Sequence, residues 1–172
     1  KSVYYKKRLP LFYHKAIVEI EPEGGWDAEL IPEGTTEIKF RQFAEREDIT
    51  IVEIPSGVTS IGKRAFYRCK NLTNVIIPSS VTFINDEAFK ECPNLTKVVI
   101  NEGITAIGES AFAFCKSLSE ISIPNGVTTI GDNAFANCAQ LTSITIPQSV
   151  THMGYGAFSY CPDLIDVTIS EG

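Results

Sequence analysis

Residues 55–77 read PSGVTSIGKRAFYRCKNLTNVII, and residues 124–146 repeat the same order of residue types as PNGVTTIGDNAFANCAQLTSITI. Each stretch is 23 residues long, and phenylalanine recurs at that spacing at residues 43, 66, 89, 112, 135 and 158. Self-similarity with a period of roughly 20 to 50 residues is typical of solenoids, whose units bury their apolar faces only against one another. The sequence therefore predicts a single domain of stacked coils.

Two strands are predicted in each coil. The segment Leu72-x-x-Val75-x-Ile77 and its copies end in two apolar residues that alternate with outward-facing ones, which is the pattern of a half-buried strand. We expect equivalent strands of successive coils to pair in parallel. A proline then ends the strand and begins a turn, and Val58-Thr59-x-Ile61 predicts a second, shorter strand.

A corner and a buried aromatic column follow the second strand. Gly62 and its counterparts, one of which is Asn85, predict a backbone corner with a positive φ. The Ala65-Phe66 pair and its copies predict a helical turn too short to be a full helix. We expect each phenyl ring to point inward and to stack on the rings of the adjacent coils, which gives the stack a continuous aromatic spine.

The five cysteines form another column with the same spacing, at Cys69, Cys92, Cys115, Cys138 and Cys161. Zinc sites use close pairs of ligands such as CxxC, whereas here each thiol stands alone in its own coil. The odd number and the regular spacing favour small buried thiols over disulfides. No metal site and no cofactor is predicted.

The pattern formed by these columns, LxxIxIPxxVTxIGxxAFxxC, resembles that of the BspA-like subtype of leucine-rich-repeat proteins from about Pro32 to the end of the chain. The resemblance implies a β-rich, right-handed solenoid of about six coils over residues 32–172. Its parallel sheet would lie on the concave face, with short convex strands and short helical turns. The first unit departs from the pattern at Lys39, Gln42 and Arg46, which is expected of a coil at the edge of the stack.

The two ends of the chain differ from the repeat. Residues 1–31 fit it poorly, and Ala16-Ile17-Val18-Glu19-Ile20 followed by Glu23-Gly24-Gly25 predicts a linker and cap containing a β-hairpin. Terminal coils need such a cover over the apolar spine. Because no cap pattern is seen at the other end, we expect the natural chain to continue, or this end to associate with another copy.

Charge and composition exclude several classes of function. Net charge is -6, and every Lys and Arg lies at or before Lys116. Nucleic-acid binding needs clustered basic residues, so the later coils are poorly suited to it. No apolar run approaches the roughly 20 residues of a membrane helix. Only His14 and His152 are present, and no nucleophile elbow or hydrolytic carboxylate pair is seen, so we predict that the protein is not an enzyme.

The outward positions of the longer strands are the candidate functional residues. We predict a protein-binding site formed by Ile51, Glu53, Asn74, Ile76, Lys97, Val99, Glu120 and Ser122, with Ser143, Thr145, Asp166 and Thr168 continuing the same rows. Apolar strips rimmed by polar residues are typical of protein contacts. The family resemblance implies a cell-surface or secreted protein, mostly bacterial, that binds host or neighbouring-cell proteins. A passive spacer and an intracellular scaffold are the alternatives.

Two columns of threonine leave a further alternative open. Ladders of this type on a flat sheet are one way to bind a repeating ice surface. The competing interpretation is that threonine favours strands and that its hydroxyl serves neighbouring backbone groups. The columns are Thr59, Thr82, Thr105, Thr128 and Thr151, and Thr50, Thr73, Thr96, Ser119 and Thr142.

Overall fold

A computed structural model describes residues 30–170 of the chain. The predicted linker and cap over residues 1–31, with its β-hairpin, therefore lies almost wholly outside the described residues. Within residues 30–170, the chain forms strands and turns and no helix. These residues accordingly include no helix long and apolar enough to cross a membrane.

Each coil contributes one short and one longer strand, which alternate along the chain. The short strands are β1 (Glu37–Ile38), β3 (Ser60–Ile61), β5 (Phe83–Ile84), β7 (Ala106–Ile107), β9 (Thr129–Ile130) and β11 (His152–Met153). The longer series comprises β2 (Ile51–Glu53), β4 (Asn74–Ile77), β6 (Lys97–Ile100), β8 (Glu120–Ile121), β10 (Ser143–Ile146) and β12 (Asp166–Ile169). We call the sheets that they form the short-strand sheet and the long-strand sheet.

All strand pairs are parallel and are offset by one coil of 23 residues, as in the pairing of Asn74 with Lys97. The short-strand sheet is continuous, in the order β1-β3-β5-β7-β9-β11. The long-strand sheet is divided into a four-stranded part, β2-β4-β6-β8, and a two-stranded part, β10-β12. The predicted parallel solenoid of about six coils is confirmed, and the break between β8 and β10 was not anticipated.

The phenylalanine column forms the predicted spine. Neighbouring rings have centroids 5.1 to 5.5 Å apart and lie within 15° of parallel, the geometry of offset stacking. The four middle rings, from Phe66 to Phe135, are completely buried, whereas Phe158 in the last coil is half-buried. Each middle ring is therefore sandwiched between two others, and burial of such a side chain contributes roughly 1.5 to 3 kcal/mol.

The segment around each phenylalanine is a series of turns rather than a helical turn. Alternate N–H groups donate to the carbonyl three residues earlier, as Tyr67 does to Arg64, while those between them donate to the next coil, as Phe66 does to Ala88. Arg64 and Arg68 have φ angles of 57° and 58°, in the left-handed region. A helix cannot continue through such residues, which explains why each segment bonds to its neighbouring coil instead.

The glycine column serves a different purpose from the one expected. Gly62 does not have a positive φ; the left-handed residues lie two and six positions after it. A Cβ at Gly62 would lie 2.7 Å from the carbonyl oxygen of Ile38 in the preceding coil. The column therefore permits close approach of two backbones. Asn85 is tolerated in one coil, where its side-chain amide donates to the carbonyl of Ile61 at 3.0 Å.

The cysteines are free and line the interior, as predicted. The thiol of Cys92 donates to the carbonyl of Phe66 in the preceding coil at 3.1 Å, and the other four thiols make the same bond at 3.1 to 3.4 Å. Burial raises the pKa of the Cys92 and Cys138 thiols. Both thiols therefore stay protonated and keep the hydrogen that this bond requires.

Candidate functional site

Strand register places the predicted site residues in two rows across the long-strand sheet. Ile51, Asn74, Lys97 and Glu120 form one row, since each pairs with the next. Glu53, Ile76 and Val99 form the second row in the same way. Ser122 lies just beyond the end of β8 and is exposed. The register therefore brings the predicted residues onto adjoining strands of one sheet.

The apolar part of this surface is smaller than expected. Ile76 and Val99 are half-buried and adjacent, whereas Ile51 is only 8 % exposed and contributes little to any contact surface. The alternation of a strand determines which way a side chain points but not what covers it, so the exposure of Ile51 could not be read from the pattern. We refer to Ile76 and Val99 as the contact strip.

Charged residues border the contact strip on the first row. The ammonium of Lys97 lies 2.8 Å from the carboxylate of Glu120, and both side chains are solvent-accessible. Exposed pairs of this type contribute at most about 1 kcal/mol to stability, because water and salt screen them. Further along the row, the Asp166 carboxylate is exposed and accepts a hydrogen bond from the Thr168 hydroxyl at 3.4 Å.

The break in the sheet coincides with a shallow groove of about 360 Å³. Ile121 in the wall of the groove is half-buried, whereas Val98 and Ile144, at the same column in the coils on either side, are at most 3 % exposed. The rest of its lining comes mainly from the β6 and β8 side and includes Lys97, Val99 and Ser122, and Ser143 is the lining residue that lies across the break. Ile121 is thus more exposed than its counterparts in the two neighbouring coils.

A charged cluster on the turn segments was not found from the sequence. The guanidinium carbons of Arg68, Arg64 and Arg41 lie 4.9, 5.5 and 6.0 Å from the centre of the Tyr67 ring. The Tyr67 hydroxyl donates to Glu91 at 3.1 Å, and burial followed by this bond raises the pKa of Tyr67. The sequence does carry a signal for this cluster, because Arg68 and Glu91 have opposite charges and lie one coil of 23 residues apart. The cluster joins neighbouring coils and has no evident chemical role.

The threonine columns support the structural interpretation. The Thr96 hydroxyl donates to the carbonyl of Thr73 at 3.1 Å, and that of Thr128 donates to the carbonyl of Thr105 at 3.1 Å. These hydroxyls therefore satisfy backbone carbonyls of the preceding coil. The same bonds recur along both columns, which makes the ladders part of the scaffold.

The end of the described stack presents core columns to solvent. Val167 and Ile169 are 56 % and 70 % exposed, although their counterparts Val75 and Ile77 are at most 1 % exposed. Met153 on the neighbouring short strand is also exposed. We call the surface formed by Met153, Val167 and Ile169 the terminal face.

A stack of two-stranded coils that pair in parallel, with buried aliphatic columns on both strands, defines a repeat protein of the leucine-rich class. Such solenoids are generally non-enzymatic scaffolds, and residues 30–170 contain no cluster of three or more potential metal ligands. The protein-family model of the BspA type leucine-rich repeat region matches residues 36–165 in six copies. The chain therefore belongs to this family. No curated protein matches the sequence.

Solved structures of bacterial leucine-rich repeat proteins are similar to this chain. One, TpLRR of T. pallidum, shares 31% identity and a TM-score of 0.76 over 80% of this chain and 65% of its own. One from Bacteroides ovatus shares 29% identity and a TM-score of 0.58 over 70% of this chain and 37% of its own. A third, from Bacteroides capillosus, shares 32% identity and a TM-score of 0.53 over 72% of this chain and 79% of its own. The chain thus spans less than two thirds of the first two proteins.

Proposed function

We propose that this chain is a non-catalytic protein-binding module of a cell-surface or secreted protein. It would act in adhesion or in recognition of a host or neighbouring-cell protein, through the long-strand sheet. Family membership supports a protein-binding repeat module. The resemblance of the repeat pattern to cell-surface and secreted proteins supports the proposed location.

The observation that carries the proposal is the contrast between the two sides of the long-strand sheet. Inward columns hold the same type of side chain in every coil, as Val75 and Val98 do, because the core dictates them. Outward residues of the same strands change from coil to coil, and Asn74, Lys97 and Glu120 occupy a single row. Scaffold packing does not require this variety, so it is available for recognition.

The composition of the surface favours a protein partner. The contact strip is apolar and is bordered by polar and charged side chains, which is the usual anatomy of a protein interface. The net charge of -6 and the lack of Lys or Arg after Lys116 disfavour nucleic acid. A passive spacer would have no use for an apolar strip in the middle of its sheet.

Charge substitution in the contact strip tests the proposal. The assay measures how well beads coated with the chain attach to cells. The double variant Ile76→Glu with Val99→Glu should reduce attachment by about tenfold or more, because a charge buried in an interface disrupts it. Ser60→Glu with Thr129→Glu places the same charges on the short-strand sheet as a matched control. Thermal melting verifies that both double variants remain folded.

The alternatives give different results in the same experiment. If the chain is a passive spacer, neither double variant changes the attachment of the beads to cells. If both double variants reduce attachment equally, the added charge alone is responsible. Digestion of intact native cells by added protease tests the location. The module should be degraded without cell lysis, whereas full protection would favour the intracellular scaffold.

A further inference from the structure

The turn segments connect the short strand of each coil to its longer strand, and three of their columns form one outer surface. Side-chain contacts in the coil that contains β3 identify these columns. The guanidinium carbons of Arg64 and Arg68 lie 5.5 and 4.9 Å from the centre of the Tyr67 ring. We call the surface formed by these three columns the turn face. It is separate from the contact strip, which lies on the long-strand sheet.

The turn face is charged in the first three coils and uncharged in the last three. In the first three coils, Ala44 and Tyr67 are its only uncharged residues, and its charges pair between coils, as Arg64 does with Glu87 at 2.9 Å. In the last three coils the same columns hold serine, alanine, asparagine, glycine and the aromatic residues Phe114 and Tyr160. Such a surface suits an uncharged ligand, because a charge buried against it would have no partner.

Two aromatic side chains project from this uncharged half. Phe114 is 40 % exposed and Tyr160 is 81 % exposed. Their φ angles of 63° and 56° lie in the left-handed region, which is uncommon for bulky residues and favours asparagine, the residue at Asn137 in the coil between them. The backbone therefore does not require an aromatic residue at either position, and rings that water reaches add little to the stability of the core.

The backbone sets the spacing of the two rings. The N–H of Phe114 donates to Ala136 and that of Asn137 donates to Ser159, both at 2.8 Å, so neighbouring turn segments lie side by side like strands. Strands are about 4.8 Å apart, which places Phe114 and Tyr160 about 10 Å apart in one column. Asn137 is half-buried between them, and its side-chain amide has no hydrogen-bond partner within residues 30–170.

This arrangement matches the chemistry of an extended polysaccharide. One face of a sugar ring carries C–H groups that pack on an aromatic ring, and sugar hydroxyls exchange hydrogen bonds with side-chain amides. In an extended β-1,4-linked chain every second sugar presents the same face, and the disaccharide repeat is about as long as two coils. A protein partner would favour a continuous apolar patch, whereas the residues between the two rings are small or polar.

We propose that the turn face of the last three coils binds an uncharged, β-1,4-linked polysaccharide. Two sugars would stack on Phe114 and Tyr160, and the sugar between them would hydrogen-bond to Asn137. This site goes beyond the proposed protein-binding function, because it uses a different surface and a different class of ligand.

Soluble oligosaccharides provide the test. Binding of cellohexaose, xylohexaose and mannohexaose to the 172-residue chain is measured by isothermal titration calorimetry. At least one hexasaccharide should bind, and the matching disaccharide should bind about tenfold or more weakly, because it cannot cover both rings. Absence of binding by all three hexasaccharides, or equal affinity of the disaccharide, would overturn the proposal.

Variants locate the site. Phe114→Asn and Tyr160→Asn install the residue found at this column in the middle coil, which suits the left-handed backbone, and each should weaken binding about tenfold. Asn137→Ala should weaken it about fivefold. Phe40→Asn is the matched control, since Phe40 is 61 % exposed at the opposite end of the stack and its loss should leave the affinity unchanged. Equal loss in the control would overturn the assignment to the turn face.

Cell attachment and sedimentation test the other occupants of this surface. If Phe114→Asn with Tyr160→Asn reduces bead attachment and no hexasaccharide competes with the parent chain, the turn face binds a protein and the proposal is wrong. If the same double variant abolishes self-association that the hexasaccharides do not disturb, the rings belong to a contact between copies, and the proposal is equally wrong. Thermal melting verifies that each variant remains folded.

Discussion

At the scale of single residues, the phenyl column and the glycine column have distinct roles. Phe89 is completely buried, with ring centroids of its neighbours at 5.1 and 5.3 Å. Gly131 lies where two backbones come so close that an added Cβ would be 2.6 Å from the amide nitrogen of Glu109. One column therefore fills the interior, and the other keeps the contact between two backbones free of side-chain atoms.

Truncation of a middle ring should be far more damaging than truncation of the last ring. We expect Phe89→Ala to lower the free energy of unfolding by about 3 to 5 kcal/mol, because the rigid coils on either side cannot close the cavity. Phe158 is half-buried and stacks on only one other ring, Phe135, so Phe158→Ala should cost less. Denaturant unfolding measures both values. Equal losses would indicate that the spine does not carry the stability of the stack.

An added methyl group should be poorly tolerated in the glycine column. Gly131→Ala forces a contact with the backbone of Gly108 and Glu109, so we expect a loss of about 1 to 3 kcal/mol. Gly57→Ala is the matched control, since its nearest atom, the carbonyl oxygen of Thr35, would lie 3.3 Å away. Thermal melting of the two variants compares them. A Gly131→Ala melt no lower than that of Gly57→Ala would contradict the close-approach explanation.

At the scale of elements, the turn segments are joined by ion pairs that span one coil. Arg64 donates to Glu87 at 2.9 Å, and Arg68 donates to Glu91 at 2.7 Å. Glu87 is the least exposed of these carboxylates, and the hydrogen bond from Arg64 lowers its pKa. The turns also use left-handed residues other than glycine, including Arg64 and Arg68, which directs alternate amides toward the next coil.

The contribution of Glu87 should depend on pH. Its pKa is lower in the folded chain than in the unfolded chain, so the stabilisation is present above the unfolded value of about 4.3 and is lost as the pH falls through the folded value. We expect Glu87→Gln to destabilise by about 1 kcal/mol at pH 7 and by almost nothing at pH 2. Exposed Glu109→Gln is the control. Unfolding titrations at several pH values would refute this prediction if the difference between the variants did not change with pH.

Across the molecule as a whole, the described part of the stack, residues 30–170, terminates in an apolar surface. The terminal face consists of Met153, Val167 and Ile169, and Val167 and Ile169 hold positions that are covered by the following coil elsewhere in the solenoid. β12 also has one unpaired edge among the described residues. Apolar side chains and a free strand edge together favour association with another chain.

We expect the 172-residue chain to associate end to end in solution through the terminal face. Sedimentation velocity should show an apparent mass that rises with concentration, and Val167→Lys with Ile169→Lys should restore a monomer by placing charges on this surface. Thr128→Lys with Thr151→Lys adds equal charge on an exposed threonine column and should not. A parent chain that stays monomeric at every concentration would contradict the expectation.

The coil period, the inward columns, the phenyl spine and the buried thiols could all be predicted from the amino-acid sequence. Each of these follows from a pattern repeated every 23 residues, because identical coils must bury identical columns. The packing of the folded chain was needed to establish that Ile51 is covered, that Gly62 serves close approach, and that strand pairing is interrupted between β8 and β10. These features depend on how the edges of particular coils meet, and a repeated pattern describes the average coil rather than the contact between two of them.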